Sequence, residues 1–149
     1  MKRENFQLTP HFSYNEMTRS AWAEAHNVDN TPDCLQIAAM TNLSRKILEP
    51  LREKFGPIRI NSAFRSETVN YGVHGVGNSK HLTGEAADIY VPDEETGRAY
   101  FRFLKTLPDI DQMLFEYNRS GAMWIHVSSC LDPNENRNQV FPNYRVTYA

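Results

Sequence analysis

Apolar positions recur every four residues in the second quarter of the chain: Leu35, Ala39, Leu43, Ile47, Leu51 and Phe55. That period predicts one long amphipathic helix over "TPDCLQIAAMTNLSRKILEPLREKFG". Thr31 is its expected N-cap, Pro32 its first helical position, Pro50 a kink and Gly56 the stop. Ahead of it, "SYNEMTRSAWAEAHN" sets Ser13 and Glu16 at capping-box spacing before Met17, Ala21 and Trp22, which predicts a first helix. After Gly56 and Pro57 the period drops to two. "IRINSAF" alternates Ile58, Ile60 and Ser62 with Arg59, Asn61 and Ala63, as a strand does, and a short helix is expected after Ser66.

"EAADIYV" is a second predicted strand, and "DEETGRAYFRFLKTLP" a helix with acidic residues in its first turn and Lys105 near its end, matching the helix dipole. "DQMLFEY" and "AMWIHVSS", separated by "NRSG", predict an antiparallel hairpin. The polar tail "CLDPNENRNQVFPNYRVTYA" is expected to wrap the surface, with room for an edge strand. Helices followed mostly by strands predict an α+β domain in which a mainly antiparallel sheet is backed by helices.

Length and composition narrow the class. The 149 residues suit a single domain spanning 1–149, with 40% hydrophobic and 23% charged residues, as in ordinary globular proteins. A formal net charge of -2 gives no electrostatic case for a nucleic-acid partner. The basic start "MKREN" is not followed by an apolar run, so neither a leader peptide nor a membrane span is expected. Cys34 and Cys130 lack the spacing of a thiolate metal site and are expected to be free thiols.

The chemistry concentrates in "SKHLTGEAADI". His81 and Asp88 flank Gly84, which lets the chain turn so that both side chains can converge. A catalytic zinc site uses three protein ligands and leaves a position open to water. The third candidate is distant: in "MWIHVS", Trp124, His126 and Ser128 share one strand face while Ile125 and Val127 share the other. If that strand neighbours "EAADIYV", His126 and Asp88 can meet at one ion. Taken singly, His81 reads as a loop histidine and His126 as a satisfied sheet histidine; the joint pattern is what points to a metal.

The pattern S-x-H-x-x-G-x-A-x-D, followed much later by W-x-H, resembles the zinc D-alanyl-D-alanine carboxypeptidase family. That family includes vancomycin-resistance dipeptidases and phage endolysins cutting L-alanyl-D-glutamate bonds, and its fold is similar to the hedgehog signalling domain. The likeness runs from about Ile58 to Ser128; "INSAFRS" resembles the family's strand-plus-arginine segment, and "HFSYNEMTRS" the opening of its small members. The resemblance implies a hedgehog/DD-peptidase-like fold, Zn2+ held by His81, Asp88 and His126, and Arg65 binding the substrate or the oxyanion. It also implies that Ser79 bonds the substrate, although Ser79 can equally shape the turn.

Two features depart from the family pattern. Met123 stands where many members carry a carboxylate three residues before the last histidine, and Ala63-Phe64 stands where Gly-Tyr is common. The general base is therefore expected elsewhere: Glu116 on the preceding strand first, then Asp111 and Glu85. His11, His26 and His74 read as solvated. The implied function is a zinc-dependent peptidase hydrolysing D-amino-acid-containing bonds of peptidoglycan stem peptides, as carboxypeptidase or as endolysin endopeptidase. The alternative is a zinc-stabilised module that binds peptide or cell wall without cleaving it. A monomer, either cytoplasmic or phage-encoded and released to the cell wall, completes the expectation.

Overall fold

A strict four-residue spacing advances 400° per step around an α-helix, so each member leads the last by about 40° and the stripe rotates off the core within a few turns. The computed structural model, which describes residues 4–146, shows this. Ala39, Leu43, Ile47 and Leu51 are buried, whereas Leu35 at one end is 68% exposed and Phe55 at the other 37%; Met40 and Leu48 complete the buried face. The basic start at residues 1–3 and the last residues of the tail, 147–149, lie outside the described residues.

The helix is built in three parts: α3 (Cys34–Leu43), a π-turn over Ser44–Leu48 and α4 (Glu49–Phe55). Asp33, not Thr31, is the N-cap. It accepts from the Gln36 backbone at 2.7 Å while the Gln36 side chain accepts from the Asp33 backbone at 2.8 Å, and Thr31 bonds Asp29 instead. Pro50 acts one turn upstream. Its ring cannot donate and would press on the carbonyl four residues back, and the wide turn closing with Glu49 N–H on the Ser44 carbonyl gives it room. Gly56 ends the helix at φ 83°.

The first predicted helix is two short ones, α1 (Tyr14–Thr18) and α2 (Ala21–Ala25). Ser13 caps the first as expected, but Ser20 interrupts the run by accepting from the Ala23 backbone and starting a second helix. A small hairpin, β1 (Gln7–Thr9) with β2 (Phe12–Ser13), precedes them. Glu49 holds it by accepting from Thr9 Oγ1, the His11 backbone and the His11 ring at 2.7–2.8 Å. His11 is thus an anchor, not a merely solvated residue. His26 likewise closes on the Trp22 carbonyl and stacks on its indole.

The main sheet contains β3 (Ile60–Ser62), β4 (Ala86–Tyr90), β5 (Gln112–Tyr117), β6 (Met123–Ser128) and β7 (Gln139–Arg145), in the order β3-β4-β6-β5-β7. All pairings are antiparallel except β5 with β7, so the tail does supply an edge strand, in parallel orientation. Helices α5 (Glu67–Gly72) and α6 (Glu94–Leu104) fall where predicted, capped by Ser66 and Asp93. One sheet face, carrying Ile60, Ile89, Met113, Phe115, Ile125 and Val127, packs with Leu43, Ile47, Leu51, Phe101 and Leu104 into the core. The opposite face carries the polar residues of interest. Both cysteines are free, Cys34 exposed and Cys130 buried.

Candidate metal centre

His81 sits in a single 3-10 turn, Lys80–Thr83, closed by Gly84 in the left-handed region at φ 78°. A Cβ at Gly84 would lie 2.5 Å from the Gln36 carbonyl oxygen, so both the turn and its close packing on α3 call for glycine. Ser79 caps the turn by accepting from the His81 backbone at 3.2 Å. Of the two readings of Ser79, this contact realises the turn-shaping one, and its side chain also borders the cleft.

The His81 ring is 2% exposed, and its Nδ1 lies 2.6 Å from the Ala63 carbonyl. A carbonyl only accepts, so Nδ1 carries the proton and Nε2 presents its lone pair. That lone pair faces Asp88 Oδ1 at 3.2 Å. Burial pushes the His81 pKa below its ordinary value, against the pull of the Asp88 charge, so the ring is neutral.

Asp88 and His126 are direct partners across β4 and β6, which puts His126 Nδ1 3.0 Å from the same Oδ1. Burial opposes ionisation of Asp88, but the hydrogen bond and charge of His126 help to hold its carboxyl well below the usual range. The ligand atoms of His81, Asp88 and His126 all lie within 4.8 Å of one another. Bonds of about 2.0–2.1 Å at tetrahedral angles need donor atoms about 3.3 Å apart, close to the 3.0 and 3.2 Å found here. An ionised carboxylate oxygen facing the lone pair of a neutral imidazole is repulsive unless a cation lies between them. The three residues therefore fit a small divalent ion of zinc's preferences.

Arg65 lies behind this group. It gives Nη2–H to Asp88 Oδ2 at 3.0 Å, Nε–H to Ser62 Oγ at 3.0 Å and Nη1–H to Asn70 Oδ1 at 3.3 Å. It thus orients the carboxylate ligand while still bordering the cleft.

The cleft has a volume of about 440 Å3, and the carboxylates lining it are Asp88 and Glu116. Glu116 pairs with Trp124 across the β5/β6 hairpin and lies diagonally from His126, whose direct partner on β5 is Leu114. Its pKa is raised to about 7, first by burial and then by the Asp88 charge, while a hydrogen bond from Trp124 and the charges of His126 and Arg65 oppose the rise. The competing carboxylates are committed elsewhere. Glu85 accepts from the Leu131 backbone and Thr83, and Asp111 from Arg137 and Ser128. Met123, of opposite strand parity to His126, packs against the core. A hollow of similar volume between Phe6, Tyr14 and Ile37 holds Glu4 but no histidine.

Several cleft residues escaped the sequence reading. Gln112 and Leu114 were findable, since they share strand parity with Glu116 on "QMLFEY". Asn70, the Ala63 carbonyl, Phe141 and Tyr144 carried no local signal, because only the folded chain brings them to the site.

A protein-family model described as Peptidase M15 matches residues 10–128, which include the whole His-Asp-His group and Glu116 but end before β7. The zinc D-Ala-D-Ala carboxypeptidase of Streptomyces albus G is 46% identical over 44 residues, 28% of this chain; the aligned stretch covers only 17% of that relative's length.

Proposed function

The chain belongs to the Peptidase M15 family, and on that premise we propose that it is a zinc-dependent peptidase hydrolysing D-amino-acid-containing bonds of peptidoglycan stem peptides. The observation that carries this reading is the convergence of two imidazole nitrogens and one carboxylate oxygen within 4.8 Å, in a cleft that also holds a desolvated carboxylate. His81, Asp88 and His126 would hold the ion. When bound, zinc supplies Lewis acidity, polarising a carbonyl and lowering the pKa of a water.

The remaining work falls to the chain. Glu116 accepts the proton of the attacking water on its carboxylate and returns it to the leaving amine nitrogen. The burial and the Asp88 charge that raise its pKa favour uptake of that proton. Trp124, the cross-strand partner of Glu116, flanks its carboxyl in the cleft. Arg65 fixes the second oxygen of Asp88, and its guanidinium edge borders the cleft where a substrate carboxylate or oxyanion can meet it. Ser79 supports the His81 turn and can add a hydrogen bond to substrate from the cleft margin.

We propose action at the bacterial cell wall by a phage-encoded enzyme released to it, with a cytoplasmic dipeptidase as the alternative. Among the described residues no helix is long and apolar enough to cross a membrane. We expect a monomer.

The test is direct. Zinc-loaded protein is incubated with a stem-like pentapeptide containing D-alanine, and new amines are measured. We expect release, with Glu116→Gln retaining about one zinc per chain while turnover falls about 100- to 10,000-fold. Peptide binding without any new amine would instead establish the non-cleaving zinc module.

A further inference from the structure

The segment 73–79, between α5 and the His81 turn, forms one wall of the metal cleft through Val73, Gly75, Val76 and Ser79. It contains neither helix nor strand, and His74 within it takes the left-handed backbone at φ 62°, which a non-glycine residue keeps only where its surroundings fix it. Much of that fixing converges on Asn70. This residue is 4% exposed and sits on α5, whose start is itself pinned by Asn30: Ser66 N–H donates to Asn30 Oδ1 at 2.7 Å, and Asn30 Nδ2 donates to the Phe64 carbonyl at 3.2 Å. From that anchored position the Asn70 backbone carbonyl accepts from Gly75 N–H at 2.8 Å, and Nδ2 donates to the Val76 carbonyl at 2.9 Å. Oδ1 accepts from Arg65 Nη1 at 3.3 Å. The orientation of the amide follows from its partners, because a carbonyl only accepts and a guanidinium only donates.

Both side-chain contacts lead on to a metal ligand. Arg65, held by Asn70 through Nη1, reaches Asp88 Oδ2 through Nη2. The Val76 carbonyl also accepts from Ser79 N–H at 3.1 Å, and Ser79 Oγ accepts from His81 N–H at 3.2 Å, so the second path ends at the His81 turn. Gly75 shows how closely the amide is seated. A Cβ there would overlap the Asn70 side chain, whose Oδ1, Cγ and Nδ2 are the three nearest atoms. Gly75 is not in the left-handed region, so this close approach, and not its backbone conformation, is what calls for glycine.

A loop that only walled the cleft could hang from its own turns, and an arginine that only oriented Asp88 could be steadied by Ser62 alone. Here one buried amide serves both. We infer that Asn70 is a positioning residue that sets the loop 73–79 and two of the three metal ligands, His81 and Asp88, as one unit. Without it Arg65 loses a support on the side away from Asp88, the His81 turn loses its tie through Val76 and Ser79, and the cleft wall slackens. The metal arm of this inference rests on the zinc reading of the cluster; none of it rests on cleavage.

The experiment titrates the chain with zinc against a chelating dye and, in parallel, follows hydrogen exchange of the 73–79 backbone amides in zinc-free and zinc-loaded protein. We expect Asn70→Ala to bind zinc about tenfold more weakly and to exchange the loop amides faster than wild type. Gly75→Ala should produce the same two changes by displacing the amide, although every polar atom is still present. The double variant should match Asn70→Ala within about twofold, because truncation opens the space that the added methyl needs. Zinc affinity and loop exchange at wild-type levels in the single variants, with only the melting temperature lowered, would make Asn70 a packing residue and overturn the inference. Losses that add in the double variant would overturn it as well, since the methyl would then act through some other group. If Asn70→Ala does not fold, Gly75→Ala decides alone. No readout needs a cleaved peptide, so failure here is distinct from failure of the peptidase reading.

Discussion

Glu116 is expected to weaken the metal-free protein for the same reason that it serves chemistry. Its pKa rises from 4.5 to about 7, a gap of about 2.5 units, equivalent to at most about 3.4 kcal/mol at 1.36 kcal/mol per unit. The carboxyl is only partly buried, so solvent screening reduces this to about 2 kcal/mol. The sign follows from proton counts. Between pH 4.5 and 7 the folded state holds the Glu116 proton more tightly than the unfolded state, so this group's contribution to stability falls as pH rises through that window. Glu116→Gln keeps the size and an acceptor for the Trp124 indole but removes the charge.

In EDTA-treated protein, urea unfolding should show the variant about 2 kcal/mol more stable than wild type at pH 8.5, and nearly equal to it at pH 4.5. Zinc should shrink the high-pH gain, because a dication in the cleft favours the ionised carboxyl. A variant no more stable at pH 8.5 than at pH 4.5, relative to wild type, would refute the claim that burial and Asp88 hold this proton.

Asp88→Asn and His81→Ala should lose zinc, so that EDTA should lower the melting temperature of wild type but leave theirs unchanged in a thermal scan; at 100 times Kd the lost stabilisation is about 2.7 kcal/mol. Arg65→Lys keeps charge but cannot hold Ser62, Asn70 and Asp88 together, and zinc affinity should weaken about 10- to 100-fold by competition with a chelating dye. Burial raises the Asp111 pKa but the Arg137 and Ser128 hydrogen bonds bring it below the usual value, so its stabilisation is present above about pH 3.8 and lost on acidification. Asp111→Asn should cost about 2 kcal/mol at neutral pH and speed hydrogen exchange in β7 ahead of the rest of the sheet.

Much of this molecule is decided by short-range pattern. Period-two alternation located β3 to β6, the position after Ser66 located α5, charges matching the helix dipole located α6, and a glycine between a histidine and an aspartate located the turn that lets both reach one point. Those features depend on residues a few positions apart, so they are written locally. The same locality explains the misplaced cap at Thr31 and the undivided first helix, where side-chain bonds from Asp33 and Ser20 outweighed a plausible pattern.

What the chain order could not determine is which side chains meet across strands and beneath turns. His81 takes its tautomer from the Ala63 carbonyl, 18 residues away; Asp88 takes its orientation from Arg65; Glu116 takes its protonation from burial in a cleft that β7 helps to wall. The tyrosine at 144 faces that cleft only because one extra residue is accommodated against β5. Electrostatics and desolvation act through space, and neither exists until the sheet has closed over residues far apart in sequence.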